Sequence, residues 1–232
     1  AALAGRNIAQ AITSPGFIYI FIQIAIITPL AEELAKPLVT LPLLGRVSQR
    51  SAFLIGAMAG AGFATLENII YAGFGFEFWA GILVVRAVGG AIHPLGTGLV
   101  ALAWRGVLKG ETGAWGRWLA HFGLAVGMHA LWNGGSLLVV TLAGARFFGE
   151  LPPEVDVLGL SAAGSTLALL IILGLIALWL GRSTVKRMNV SIAGESTQTD
   201  FTLSDRNIAI WAVLGLVAIM PVGITGLQLI LR

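Results

Sequence analysis

The amino-acid sequence predicts an all-α, polytopic integral membrane protein with about six transmembrane helices, and three observations carry that prediction. Of 232 residues, 57% are hydrophobic and only 11% are charged, with a mean hydropathy of +0.90. A soluble domain carries about 25% charged residues, so too few polar groups are present to cover a globule in water. The charged residues gather between long apolar runs, as in the loops of a multispanning protein. Those runs show no apolar/polar alternation, which excludes membrane strands.

Taken in order, six stretches reach the ~20 residues a helix needs to cross ~30 Å of hydrocarbon. They lie at about 16–44, 51–73, 78–104, 117–144, 157–180 and 207–231 and form a single transmembrane domain. Residues 1–15 read as a short surface helix or the tail of a missing span. The chain opens on Ala-Ala without a signal pattern, which reads as a trimmed end with an upstream segment missing. Ser14-Pro15 is a helix start, an N-cap followed by a first-turn proline. Pro37 cannot donate to the carbonyl of Glu33, so the first span is expected to kink there. His93-Pro94-Leu95-Gly96-Thr97-Gly98 is expected to bend its helix just after His93. Gly56, Gly60, Gly62, Gly89 and Gly90 would let helices approach closely. Residues 181–206 are expected to be one mobile, polar loop on the cytoplasmic side.

The net charge is +3 and the pI about 9.8. No dense basic stretch occurs, which excludes nucleic acid as a partner. Cysteine is absent, so thiolate metal sites and a Cys nucleophile are excluded. With six spans, one side holds Arg46, Arg50, Arg105, Lys109, Arg117, Arg182, Lys186, Arg187 and Arg206. The other holds Arg6, Arg146 and Arg232. The basic side is assigned to the cytoplasm. Trp79, Trp104, Trp115, Trp118, Trp179 and Trp211 fall near span ends, as an aromatic belt does, and Trp132 lies deep within span 4.

Spans 1 to 4 carry Glu32, Glu33, Lys36, Glu67, Arg86, His93 and His129, with Asn68 and Asn133 beside them. A charge at a membrane helix centre costs about 2.5–3.5 kcal/mol on the lenient insertion scale. Such groups must face one another or water. At ~1.5 Å per residue the two glutamates and both histidines lie roughly 17 Å from the cytoplasmic ends, and Glu67 about 24 Å. Carboxylates and imidazoles from four helices therefore meet at nearly one depth, as a catalytic site requires. Lys36 stands four residues after Glu32 and three after Glu33. Of the two adjacent glutamates, one is expected to face the cavity and the other to be held by Lys36 or Arg86. Glu67 shares a helix face with Tyr71, and His129 with Asn133. His129 and Asn133 can both donate to a developing oxyanion.

Several membrane chemistries are excluded. No Gly-x-Ser-Gly run supplies a serine nucleophile, the only aspartates lie in loops, and no His-Glu-x-x-His occurs. What remains is a glutamate–histidine site that activates water, with or without a metal. A transporter or channel and a non-catalytic membrane scaffold are the alternatives. The transporter lacks repeated broken helices, and these polar groups gather at one depth instead of forming a path.

The ordered set EELAK (32–36), ENIIY (67–71), HPLGTG (93–98) and HALWN (129–133) resembles the PrsW family of intramembrane proteases, within the CAAX prenyl-protease and bacteriocin-processing superfamily. The match covers roughly residues 28–135. The resemblance implies a bacterial inner-membrane protease acting on a transmembrane protein, an anti-sigma factor being the known type of substrate. It implies that Glu32, Glu33, His93 and His129 carry catalysis. Lys36 stands where the prenyl-protease branch has arginine, and Gly89 where it has phenylalanine, so a prenylated substrate is not implied. Glu32 or Glu33 is expected as the base, oriented by His93, with His129 and Asn133 at the oxyanion. Lys36, Arg86, Asn68 and Tyr71 are expected in support. Zn²⁺ on His93, His129 and Glu67 fits these residues, as does metal-free catalysis. Asn133, a poor zinc ligand, favours the latter. The site is expected to open toward the cytoplasmic half of the membrane.

Overall fold

The computed structural model describes residues 12–74, 89–147 and 153–192. Among these every regular element is helical. The first rod starts at Ser14, whose Oγ accepts the Phe17 N–H at 3.2 Å while Pro15 occupies the first turn. Helix α1 (Pro15–Ile22) widens into a π segment, Gln23–Ile27, in which the Thr28 N–H reaches back to the Gln23 carbonyl. Helix α2 (Thr28–Ala35) restores α spacing. Pro37 withholds the N–H that the Glu33 carbonyl would accept, and the rod tightens to a 3-10 turn over Lys36–Thr40 before α3 (Leu41–Leu44).

A short turn leads to α4 (Gln49–Phe74), capped by Ser48, whose Oγ accepts the Ser51 N–H at 3.1 Å. Helices α5 (Ile92–Leu108), α6 (Ala114–Phe147) and α7 (Pro153–Ile192) follow. The α5–α6 turn uses Gly110 and Gly113 at φ +67° and +68°, a left-handed conformation that costs glycine little. Glu111 ties this turn to both flanking helices, accepting from Arg105 at 3.0 Å and Arg117 at 2.7 Å. Arg105 Nε also donates to the Val47 carbonyl at 2.9 Å. The turns after the first rod and after α5 therefore lie at the same end of the bundle. Trp104, Trp115 and Trp118 pack edge-to-face at that end, with centroids 5.2–6.0 Å apart.

Helix α5 is the centre: α4 packs along one side and α6 along another, while α7 closes against α6 and the first rod lies across α4 and α6. Phe53, Ile92, Leu95, Leu99, Met128, Trp132, Leu170 and Ala177 form the apolar core. Contact between α4 and α5 is close because α4 carries glycine at 56 and 60. A Cβ on Gly60 would lie 2.8 Å from the His93 carbonyl carbon and 2.9 Å from Thr97 Oγ1. Gly62, grouped with these in the sequence, faces open space instead. Large apolar side chains such as Ile18, Ile22, Met58, Leu131, Leu169 and Leu175 are exposed on the outside. A water-soluble monomer rarely presents such a surface, whereas a lipid-facing one does.

Four helices among the described residues are long and apolar enough to cross a membrane: Pro15–Leu44, Gln49–Tyr71, Ala114–Val139 and Gly164–Arg187. The chain is thus a polytopic α-helical membrane protein. Of the expected span at 78–104, residues 78–88, with Arg86, lie outside the described residues, as do Trp79 and the expected span at 207–231. Helix α5 does not bend after His93; it begins at Ile92, just before it. Proline suits that place, since a first-turn residue has no helical acceptor for the N–H that proline lacks. The polar stretch after 181 is not a loop at its start: α7 runs on to Ile192. No glycine or proline interrupts 182–192, so nothing there breaks the helix.

Candidate active site

Lys36 organises the polar cluster. An ammonium has three N–H donors and no acceptor, and Lys36 Nζ meets three acceptors. These are Glu33 Oε1 at 2.7 Å and His93 Nδ1 at 2.9 Å, both in hydrogen bonds, and Glu32 Oε2 at 3.1 Å, in an ion pair. Its fourth side rests on the Phe63 ring, 4.2 Å from the centroid. The Lys36 side chain is 1% exposed. An unpaired ammonium at this depth would be strongly destabilising, so burial and three partners belong together. Both adjacent glutamates reach this one cation, where the sequence had assigned it only one of them. Turns of the 3-10 type directly after Ala35 carry the lysine back over the last turn of α2.

The hydrogen-bond partners settle the histidine tautomers. Since the ammonium can only donate, His93 Nδ1 accepts. Its Nε2 then carries the proton and faces Glu67 Oε2 at 3.3 Å. Since a carboxylate can only accept, His129 Nδ1 donates to Glu33 Oε1 at 2.9 Å. This leaves His129 Nε2 as a lone pair in its neutral form. That nitrogen is buried without a hydrogen-bond partner, 3.8 Å from Glu32 Oε2. The two imidazoles meet edge to face at 4.7 Å.

Helix geometry brings these groups together. His93 enters on the first turn of α5, and Gly60 admits its backbone against α4, where Glu67 lies two turns further along. Gly96 leaves room for Glu33: a Cβ there would sit 3.3 Å from Glu33 Oε2. His129 is fully buried in the middle of α6. Glu33 is 1% exposed in its side chain, whereas Glu32 retains 20%. The pair is thus divided between one enclosed and one open carboxylate.

The structure brings together Glu32, Glu33, Lys36, Glu67, His93 and His129. Asn133 faces elsewhere: its Nδ2 donates to the Ile24 carbonyl at 3.1 Å. Asn68 is half-buried and Tyr71 is 41% exposed on α4. One ligand atom each from Glu32, His93 and His129 lie within 4.8 Å of one another, the composition of a metal site. Glu32 thus takes the place in that set that the sequence reading gave to Glu67. Sequence reasoning also missed Phe63, whose spacing from Glu67 could have placed it on the same face of α4.

A family model described as the PrsW family intramembrane metalloproteases matches residues 1–186. No curated protein and no solved structure matches the chain.

Proposed function

The chain belongs to the PrsW family of intramembrane metalloproteases, and from that membership we propose that it hydrolyses peptide bonds of membrane-embedded proteins with a water held between Glu32 and His129. The supporting observation is the 3.8 Å gap between Glu32 Oε2 and the lone pair of His129 Nε2. The gap is too long for a direct hydrogen bond, and both atoms are buried without a hydrogen-bond partner, so each has a lone pair to offer a water admitted when the site opens for substrate. Such a water donates one hydrogen to each acceptor, which leaves its own lone pair free for a substrate carbonyl. Glu32, the more open carboxylate, is the general base. It takes the water's proton as oxygen bonds to the carbonyl carbon, and the proton passes to the leaving amine when the C–N bond breaks. Glu33 fixes His129 through Nδ1, as the buried carboxylate does in an acid–histidine pair. Lys36 and Glu67 hold the His93 ring between them.

The family description implies a metal, and Glu32, His93 and His129 are the residues that would hold it; such an ion supplies Lewis-acid polarisation and a more acidic water. As arranged, these residues do not fit it. His93 Nδ1 is hydrogen-bonded to Lys36 and its Nε2 faces Glu67 at 3.3 Å, while the ammonium also ion-pairs with Glu32 at 3.1 Å. Lys36 supplies a positive charge that contacts two of these three residues, Glu32 and His93.

The substrate class follows from the family, a transmembrane protein in the inner membrane of a bacterium, with an anti-sigma factor as the type the motifs suggest. The basic end of the bundle faces the cytoplasm in this reading, and the site opens toward that half. Conservative glutamine variants test the assignment. In detergent or vesicles with a single-span substrate, Glu32→Gln should abolish cleavage while leaving the unfolding transition close to the parent's. Glu33→Gln should lose both activity and stability, up to about 3–5 kcal/mol for a broken buried ion pair. Cleavage at the parent rate by both variants refutes the mechanism.

A further inference from the structure

The π segment in the first rod has a structural cause and a consequence for the two glutamates. At α spacing the N–H of residue 29 would bond the Ala25 carbonyl, and at π spacing the Ile24 carbonyl. Pro29 has no N–H, so it serves neither. A carbonyl left bare inside a membrane is costly. The Ile24 carbonyl is instead taken by Asn133 Nδ2 of α6 at 3.1 Å. The Thr28 N–H is drawn back to Gln23, and the proline ring would clash with an α-spaced Ala25 carbonyl.

A π segment is equivalent to one inserted residue, so everything beyond it turns by about 100° at 3.6 residues per turn. The rod meets α6 at two places that flank this insertion. Phe21 lies over Gly134, where a Cβ would come within 3.2 Å of its ring. Glu33 meets His129. Twelve α-helical residues leave Phe21 and Glu33 about 120° apart. The insertion reduces that to about 20° and brings both onto the α6 face. Without it, the residue eleven along, Glu32, would share the face with Phe21.

We infer that Pro29 and Asn133 together hold a one-residue π insertion that selects Glu33 as the partner of His129 and leaves Glu32 on the open side of the site. Asn133 is then a positioning residue acting through the Ile24 carbonyl, and not an oxyanion donor. The inference rests on the proteolytic reading for its effect on rate, but not for its effect on stability.

The experiment compares the parent with Pro29→Ala, Asn133→Ala, the double variant, and the double variant with Ile26 deleted. Pro29→Ala keeps the Asn133 bond and should cleave within about threefold of the parent. Asn133→Ala keeps the proline block and should retain more activity than the double variant. The double variant frees the segment to close into an α-helix and should lose at least about 100-fold, the effect of misplacing a catalytic group by about 1 Å. Deleting Ile26, an exposed residue of the π segment, restores the Phe21–Glu33 register in α geometry and should regain at least tenfold. An oxyanion role predicts instead that Asn133→Ala is as slow as the double variant and that the deletion regains nothing; that result overturns the inference. Unfolding midpoints give a readout independent of activity. Asn133→Ala should lower the midpoint by about 2–8 °C, and adding Pro29→Ala should recover part of that by supplying an N–H. An equal effect of Pro29→Ala in both backgrounds refutes the shared register. If the parent cleaves nothing, the proteolytic reading fails, while the midpoints still decide the register lock.

Discussion

Gly60→Ala places the least addition at the tightest crossing in the site. The new Cβ would sit 2.8 Å from the His93 carbonyl carbon and closer still to its oxygen. Ordinary carbon contacts begin near 3.5 Å, so α4 must withdraw from α5 by about 1 Å. Neither neighbour is a flexible side-chain tip; both are backbone atoms on the first turn of α5, and cannot swing aside. Seven residues on, on the same face of α4, Glu67 holds His93 Nε2 at 3.3 Å. A withdrawal of about 1 Å takes that contact beyond ion-pair distance and releases one side of the ring that Lys36 grips on the other. Overpacking of this kind costs about 1–3 kcal/mol, and misplacing a catalytic constellation by about 1 Å costs about 100-fold in rate. Gly62→Ala is the control: same helix, same substitution, nothing within 4 Å. It should be neutral or stabilising by roughly 0.5–1 kcal/mol through helix propensity. Thermal unfolding and cleavage of a fluorescent single-span substrate would be measured side by side. Equal behaviour of the two variants would show that the α4–α5 contact does not hold His93, and would refute the reasoning.

Cleavage should persist in excess chelator, and the purified parent should carry well under one equivalent of transition metal; loss on chelation with recovery on added Zn²⁺ refutes the assignment of Lys36 as the site's cation. Lys36→Met should abolish activity, because Glu32, Glu33 and His93 lose one shared partner, and Lys36→Arg should recover little, since a planar guanidinium does not place three donors as an ammonium does. The chain lacks cysteine, so single cysteines at Arg46, Lys109 and Arg117 can be read without background. All three should resist an impermeant reagent added to intact cells, and efficient labelling of two reverses the orientation. Mass spectrometry of the products should place the cut within or beside the cytoplasmic half of the substrate's span; a cut on the far side refutes the direction of the cavity.

Hydropathy makes the rods legible because crossing a bilayer is a one-dimensional constraint: a run of apolar residues long enough, with charges at its ends. It does not separate one span from the next where a helix starts late. The HPLGTG run reads as a bend because proline interrupts an apolar stretch, and only the structure places Pro94 in a first turn. The polar stretch after 181 reads as a loop because its composition is polar, although no glycine or proline interrupts it before 192. Levels along a helix were legible too, at 1.5 Å per residue, which is why Glu32, Glu33, Glu67, His93 and His129 could be gathered from four segments. Azimuth was less legible. The direction of Glu33 depends on a π insertion that has only Pro29 as its mark in the sequence, and its partner Asn133 lies more than a hundred residues away.

Gly89 shows the same division between what one position and what a pair can reveal. In the sequence it is a departure, a glycine where a related branch carries phenylalanine. In the structure a Cβ at 89 would lie 2.6 Å from the Trp132 indole nitrogen, and Trp132 is 3% exposed. The aromatic bulk at this crossing therefore comes from α6, where Trp132 joins the apolar core with Ile92, Leu95 and Met128. Glycine at 89 and tryptophan at 132 form one packing solution written at two distant positions. A phenylalanine at 89 would be excluded by that tryptophan, and a small residue at 132 would open a cavity of about a ring's volume in the apolar core. The chemistry of the cluster is thus set by residue types that the sequence displays. Its geometry is set by pairs (Gly60 with His93, Gly89 with Trp132, Asn133 with Ile24) that become visible only when the helices are packed.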